Sequence, residues 1–164
     1  MDIVRDLATH DLDIVGWLSA APVSALAAQL CPHRESFVAI QGDLADGTVF
    51  TSVVDRLTSA KRRRVWVVGD GGTLVADTVG STLTFFDSPS TPCAEVRTGP
   101  RAPAVRFDIE RSEPLARQLD AWCNRLAGDA RAPVVTLDEG LAVVVRAEAV
   151  LESAASGAVV RPWA

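Results

Sequence analysis

Asp6, His10 and Asp13, close to the start of the chain, have the residue types and spacing that proton chemistry uses. Asp6 and His10 stand four apart, and His10 and Asp13 stand three apart. On a helix these intervals put all three side chains on one face, about a turn from each other. A carboxylate beside an imidazole raises its proton affinity and orients its ring, so the pair can serve as a general base. Plainer roles compete. A helical histidine is commonly structural, and Asp6 and Asp13 can simply favour the positive N-terminal end of a helix dipole.

The remaining polar clusters point away from chemistry. Gly69-Asp-Gly-Gly72 has the glycine density of a phosphate loop, but a β-branched strand follows it where a phosphate loop needs a helix N-terminus; it reads as a turn. Lys61-Arg-Arg-Arg64 is a basic run in an acidic protein with Trp66 as its only nearby aromatic, and it reads as an exposed strand end or as charges guarding a sheet edge. His33 beside Cys31 is too isolated for a metal, which needs three or four ligands.

These residues must be carried by a definite set of elements. A helix is expected from about Leu7 to Ser19, ending before Pro22. Strand patterns follow at Val23–Leu30, Phe37–Leu44, Thr48–Asp55, Arg63–Val68, Thr73–Thr78 and Ser81–Phe86. Asp46-Gly47 signals a tight hairpin, and Gly69–Gly72 and Gly80-Ser81 mark the next two connections. Ser88–Pro103 is rich in Pro, Ser, Thr and Gly and reads as a long loop, and Val105–Ile109 as one more strand. Two helices close the chain. Ser112 is positioned to cap the first, with Glu113 and Pro114 in its opening turn. Its apolar stripe is Leu115, Leu119, Trp122, Cys123 and Leu126. Thr136-Leu-Asp-Glu139 is a capping box for the second helix, which is apolar nearly all round apart from Arg146, Glu148 and Glu152, is expected to be largely buried, and ends at Gly157. Short turns between successive strands make antiparallel pairs. Strands followed by helices give an α+β fold: an open, mainly antiparallel sheet with helices on one face.

Composition excludes several classes. A chain of 164 residues suits a single domain, and 48% hydrophobic with 23% charged residues is ordinary for a globular core. A net charge of −5 disfavours nucleic acid and anionic membranes as partners. No apolar run approaches the roughly 20 residues of a membrane helix. The first residues lack a signal peptide's pattern. Cys31, Cys93 and Cys123 are odd in number and widely spaced, which fits reduced thiols and a cytoplasmic setting.

The order of these motifs carries a resemblance. Asp6-x-x-x-His10-Asp-x-Asp13 running into Ile14, Val15, Trp17 and Leu18 resembles the substrate-domain signature of the Gfo/Idh/MocA oxidoreductases. Phe37–Leu44, Asp46-Gly47 and Thr48–Asp55 are similar to that family's central hairpin. Lys61–Val68 followed by Gly69–Asp77 is similar to its strand, glycine turn, strand segment. Glu113-Pro114-Leu115 and Glu152–Gly157 resemble its C-terminal pair of helices. Nearly the whole chain is covered. One departure is Arg56, which stands where many relatives carry an aromatic residue.

The resemblance implies a glyceraldehyde-3-phosphate-dehydrogenase-like C-terminal domain for substrate binding and oligomerisation, in which His10 is the general base and Asp6 its support. Asp13 and Arg63 are then substrate-binding, and the substrate is a sugar, nucleotide sugar or cyclitol. The parent protein is expected to use NAD or NADP. The family's Gly-x-Gly-x-x-Gly motif and catalytic Glu-Lys-Pro lysine have no counterpart here, so this chain reads as a C-terminal domain, a fragment or a truncated gene product starting at Met1. It is expected to bind no cofactor or metal, to lack activity alone, and to need a separate nucleotide-binding domain. Pairing through the free sheet face, at positions such as Val49, Val53, Val65 and Val67, is expected to make it a dimer or higher oligomer. The alternative is a free-standing, non-catalytic dimerisation or scaffold domain of the same fold; an unrelated α+β ligand-binding domain is a third option.

Overall fold

A computed structural model describes residues 2–19, 21–31, 36–87 and 104–162. The chain forms two compact units, one of residues 1–58 and 133–164 and the other of residues 59–132. Every strand pair among the described residues is antiparallel.

The first unit is a three-stranded sheet in the order β1 (Val23–Leu30), β2 (Phe37–Leu44), β3 (Val49–Asp55). Val38, Ile40 and Leu44 alternate onto one face of β2 and are buried. Across the ladder Leu26 pairs with Gly42 and Ala28 with Ile40, which extends that apolar face through β1. The β2–β3 hairpin turns at Asp46-Gly47, where Gly47 takes a φ of 87° and Asp46 accepts the Thr48 amide.

Two helices cover this face. A π-helical turn, Val4–Ala8, leads into α1 (Thr9–Leu18), so the helix begins earlier than its sequence pattern suggests and with a wider turn. Val4, Ala8 and Leu12 recur every four residues and form the buried stripe. The final helix, here α3 (Leu137–Ser156), adds Ala147 and Val150 to the same core. Its capping box is as expected: the Thr136 hydroxyl accepts the Glu139 amide, and Glu139 accepts the Thr136 amide. The expectation of a largely buried helix is corrected, because only its second half is buried. Leu137 is 88% exposed, and Leu141 and Val144 are also open to solvent.

The second unit is a four-stranded meander, β4 (Arg64–Gly69), β5 (Gly72–Asp77), β6 (Thr82–Asp87) and β7 (Ala104–Phe107), followed by α2 (Pro114–Leu126). Glu113, rather than Ser112, holds the N-cap of α2, and no side chain caps it; Pro114 opens the helix, where its missing N–H costs nothing. The α+β architecture is the expected one, with its strands divided between two sheets. The Ser88–Pro103 segment, Cys93 and His33 lie outside the described residues.

Candidate functional site

The α1 helix places the candidate residues by simple rotation. Ala8, just before it, and Leu12 join the buried core, so His10, midway between them, turns outward and is exposed. Asp13 and Trp17 follow His10 at i+3 and i+7 on the same outward stripe, with Trp17 81% exposed. Asp6 belongs to the π turn rather than to α1.

Three polar contacts reach this segment from other elements. Arg5 grips both carboxylate oxygens of Glu148 on α3, at 2.8 and 2.9 Å, and also bonds Asp2 at 2.9 Å. Asp2 is held below the usual carboxylate range, chiefly by the Arg5 amide. The Ser52 hydroxyl of β3 donates to Asp11 at 2.6 Å. Farther along, the Arg146 guanidinium lies against Gly16 and donates to the Leu12 carbonyl at 3.2 Å. A Cβ at Gly16 would stand 2.4 Å from Nη1 of Arg146, so glycine is what allows the approach. Burial lowers the Arg146 pKa, and the charge of Asp13 opposes that shift.

Asp13, Gly16 and Trp17 from α1, with Val134 and Arg146 from the α3 side, line an open cavity of about 310 Å³. It offers a carboxylate acceptor, a guanidinium donor and an aromatic face one turn beyond His10. The candidate substrate residue Asp13 is therefore in a cleft, and Arg146 and Trp17 join it.

Asp6 is placed differently from the sequence reading. Its carboxylate is bonded to the Arg56 guanidinium, and no ion pair links it to His10 among the described residues. Both partners are more than a third exposed, and an ion pair of that kind is worth about 0–1 kcal/mol. Asp6 can therefore change partners at small cost. Arg63 belongs to the second unit, directly before β4, with an exposed side chain and a carbonyl that accepts the Thr78 amide. Sequence reasoning missed Arg56 and Arg146 as members of this region. The available signals were Arg56 replacing an aromatic and Arg146 as an isolated cation in an apolar helix.

Among the described residues, no group of three or more His, Cys, Asp and Glu side chains can hold a metal, and no helix is long and apolar enough to cross a membrane. No family model and no curated protein matches the sequence. Solved structures do match the fold. UDP-N-acetylglucosamine 3-dehydrogenase from Acidithiobacillus ferrooxidans superimposes with a TM-score of 0.81 at 21% identity, over 94% of this chain and 49% of that one. The aldose–aldose oxidoreductase of Caulobacter crescentus gives 0.69 at 19% identity, over 93% and 45%. The WlbA dehydrogenase of Bordetella pertussis, solved with NADH and UDP-GlcNAcA, gives 0.64 at 20% identity, over 94% and 43%. These are Gfo/Idh/MocA-type oxidoreductases, and identity at this level speaks to the fold alone. The chain thus has the C-terminal-domain fold of the Gfo/Idh/MocA oxidoreductases and spans about half the length of the solved relatives it matches.

Proposed function

We propose that this chain is the substrate-binding and dimerisation domain of an NAD(P)-dependent oxidoreductase acting on a hydroxyl of a sugar, nucleotide sugar or cyclitol. The observation that carries this reading is an exposed His10 one turn before Asp13, which lines the cavity, on the first helix of a fold that a UDP-N-acetylglucosamine dehydrogenase shares. His10 takes the proton from the substrate hydroxyl. Asp6, leaving Arg56, supports the imidazolium as it forms. Asp13 accepts hydrogen bonds from neighbouring hydroxyls.

The described residues do not fit a dinucleotide. All their ladders are antiparallel, and no glycine-rich turn joins a strand to a helix, so none offers the helix N-terminus that holds a pyrophosphate. NAD or NADP therefore belongs to a nucleotide-binding domain that works with this one. The chain operates in the cytoplasm and pairs with a second copy through the free sheet face. Val49 and Val53, 67% and 63% exposed, stand ready for that contact.

The test is His10→Ala in a protein that joins this domain to a dinucleotide-binding domain. Turnover of UDP-N-acetylglucosamine, glucose or myo-inositol should fall by roughly two to four orders of magnitude, the usual worth of acid–base catalysis, with little change in substrate affinity. Near-normal turnover would remove His10 from the chemistry. The Arg56–Asp6 pair favours a second reading, a non-catalytic dimerisation domain in which Asp6 is occupied structurally. That reading expects no activity with any of the three substrates, with or without His10.

A further inference from the structure

Arg146 has more donors than partners. Its side chain is half-buried on α3, and of the five N–H groups of a guanidinium only one is spent, on the Leu12 carbonyl at 3.2 Å. The others form no hydrogen bond among the described residues, and the group lines the cavity. Trp17 stands on the same rim, 81% exposed and outside the core of its unit. Asp13 lies between Trp17 and His10 on the outward stripe of α1. An indole face, a carboxylate acceptor and a guanidinium donor together suit a pyranose ring. Its C–H groups pack on the indole, and each of its hydroxyls both gives and takes a hydrogen bond.

The cavity is set apart from the reacting centre. Trp17 is seven residues beyond His10 on one α-helix, a rise of about 10 Å. A hydroxyl that loses its proton to His10 must stand within about 3 Å of the imidazole. The ring that carries it therefore cannot also lie on Trp17. Size and charge narrow the occupant further. A volume of about 310 Å³ is at the small end of ligand cavities and suits a single ring. Two carboxylates, Asp13 and Glu139, line it against the one guanidinium of Arg146, so a phosphate is repelled and a neutral ring is not.

We propose that this cavity holds a second, neutral pyranose ring, stacked on Trp17 and hydrogen-bonded by Arg146 and Asp13, so that the substrate is a glycoside of at least two rings. This rests on the proposed function and narrows it: the reacting ring meets His10, and the ring linked to it selects the substrate. Free monosaccharides, cyclitols and nucleotide sugars fill the cavity less well. Trp17 and Arg146 determine specificity and take no part in the proton transfer.

Titration of this chain with cellobiose, glucose and UDP-N-acetylglucosamine, followed by the amide and indole signals in nuclear magnetic resonance, tests the assignment. Cellobiose should bind roughly tenfold more tightly than glucose, the worth of one well-made aromatic contact, and should shift the Trp17 indole signal. Trp17→Ala should bring cellobiose down to the affinity of glucose, and Trp17→Phe should keep most of the difference. Trp17 is exposed, so neither substitution threatens the fold. Equal affinity for cellobiose and glucose would overturn the proposal, as would tighter binding of UDP-N-acetylglucosamine or an unchanged preference in Trp17→Ala. Binding needs neither turnover nor a cofactor, so failure here leaves the catalytic reading to its own test on His10.

Discussion

Ser153→Ala should destabilise the first unit well beyond what one lost hydroxyl suggests. Ser153 is 1% exposed on α3. Its hydroxyl accepts the Ala28 amide at 3.0 Å and donates to the Ala158 carbonyl at 2.6 Å. The Ala28 amide lies on the outer edge of β1, where Leu26 is already paired with Val160 in both directions. Ser153 thus finishes an edge that the C-terminal segment begins to cover. Alanine leaves the Ala28 donor buried and unpaired, at about 1–3 kcal/mol. The Ala158 carbonyl belongs to an exposed residue and can recruit water, so its loss adds only about 0.5–1 kcal/mol. The removed oxygen leaves too small a void to compete with these effects. The sum is about 1.5–4 kcal/mol, or a fall in Tm of roughly 3–16 °C for a chain of this size. Urea denaturation monitored on the first unit gives the free energy, and hydrogen exchange at Ala28 gives the local cause. Ser156→Ala is the control: its hydroxyl donates to the Glu152 carbonyl and accepts the Ala158 amide, but all are exposed to water and the change should be worth less than about 0.5 kcal/mol. If Ser153→Ala cost no more than Ser156→Ala, the account of the sealed β1 edge would be wrong.

Calorimetry of this chain with millimolar NADH should give no saturable heat; a clear micromolar isotherm would mean a dinucleotide site exists here. In the protein joined to a nucleotide-binding domain, Asp6→Asn should lower turnover less than His10→Ala does, because it removes support rather than the base; equal losses would make Asp6 a direct participant. Glu139 is held below its usual 4.5 by the Thr136 amide and hydroxyl, so its contribution is present above 4.5 and is lost as pH falls below that value through its depressed pKa. Acid unfolding of Glu139→Gln should therefore converge with wild type at low pH, and a gap that stays constant with pH would contradict this. Gly16→Ala gains about 1 kcal/mol of helix propensity but must displace Arg146 from the Leu12 carbonyl, so its net effect should be near zero. Combined with Arg146→Ala, the same substitution should become stabilising relative to Arg146→Ala alone.

The elements whose cause is local were legible in the sequence. β2 was placed residue for residue at Phe37–Leu44, because its alternation and the Asp46-Gly47 turn agree on register. The capping box at Thr136 needs only four consecutive residues. What the sequence hid is long-range. Arg56 reaches Asp6 across 50 positions, and no local pattern announces that pairing. The exposure of Leu141 and Val144 was equally hidden, since an apolar helix reads as buried whether its cover is its own chain or something else. The wider π turn over Val4–Ala8 was also hidden, because no local residue pattern distinguishes it from the start of an ordinary α-helix.

The tethers bear on whether α1 can hold a catalytic base. A base must keep its place to within about 0.5 Å, and loops rarely manage this. Arg5 ties the start of the helix to α3, Ser52 ties Asp11 to β3, and Arg146 ties Leu12 and Gly16 back to α3. His10 falls between the first and second of these, on a backbone fixed from two different elements, with its side chain on the unencumbered side. A helix serving only to cover a sheet needs its apolar stripe and gains little from polar tethers at three successive levels. If His10 is the base, loss of Ser52 should disturb turnover through the position of His10 while leaving the sheet intact; unchanged turnover would separate the Ser52–Asp11 contact from the chemistry.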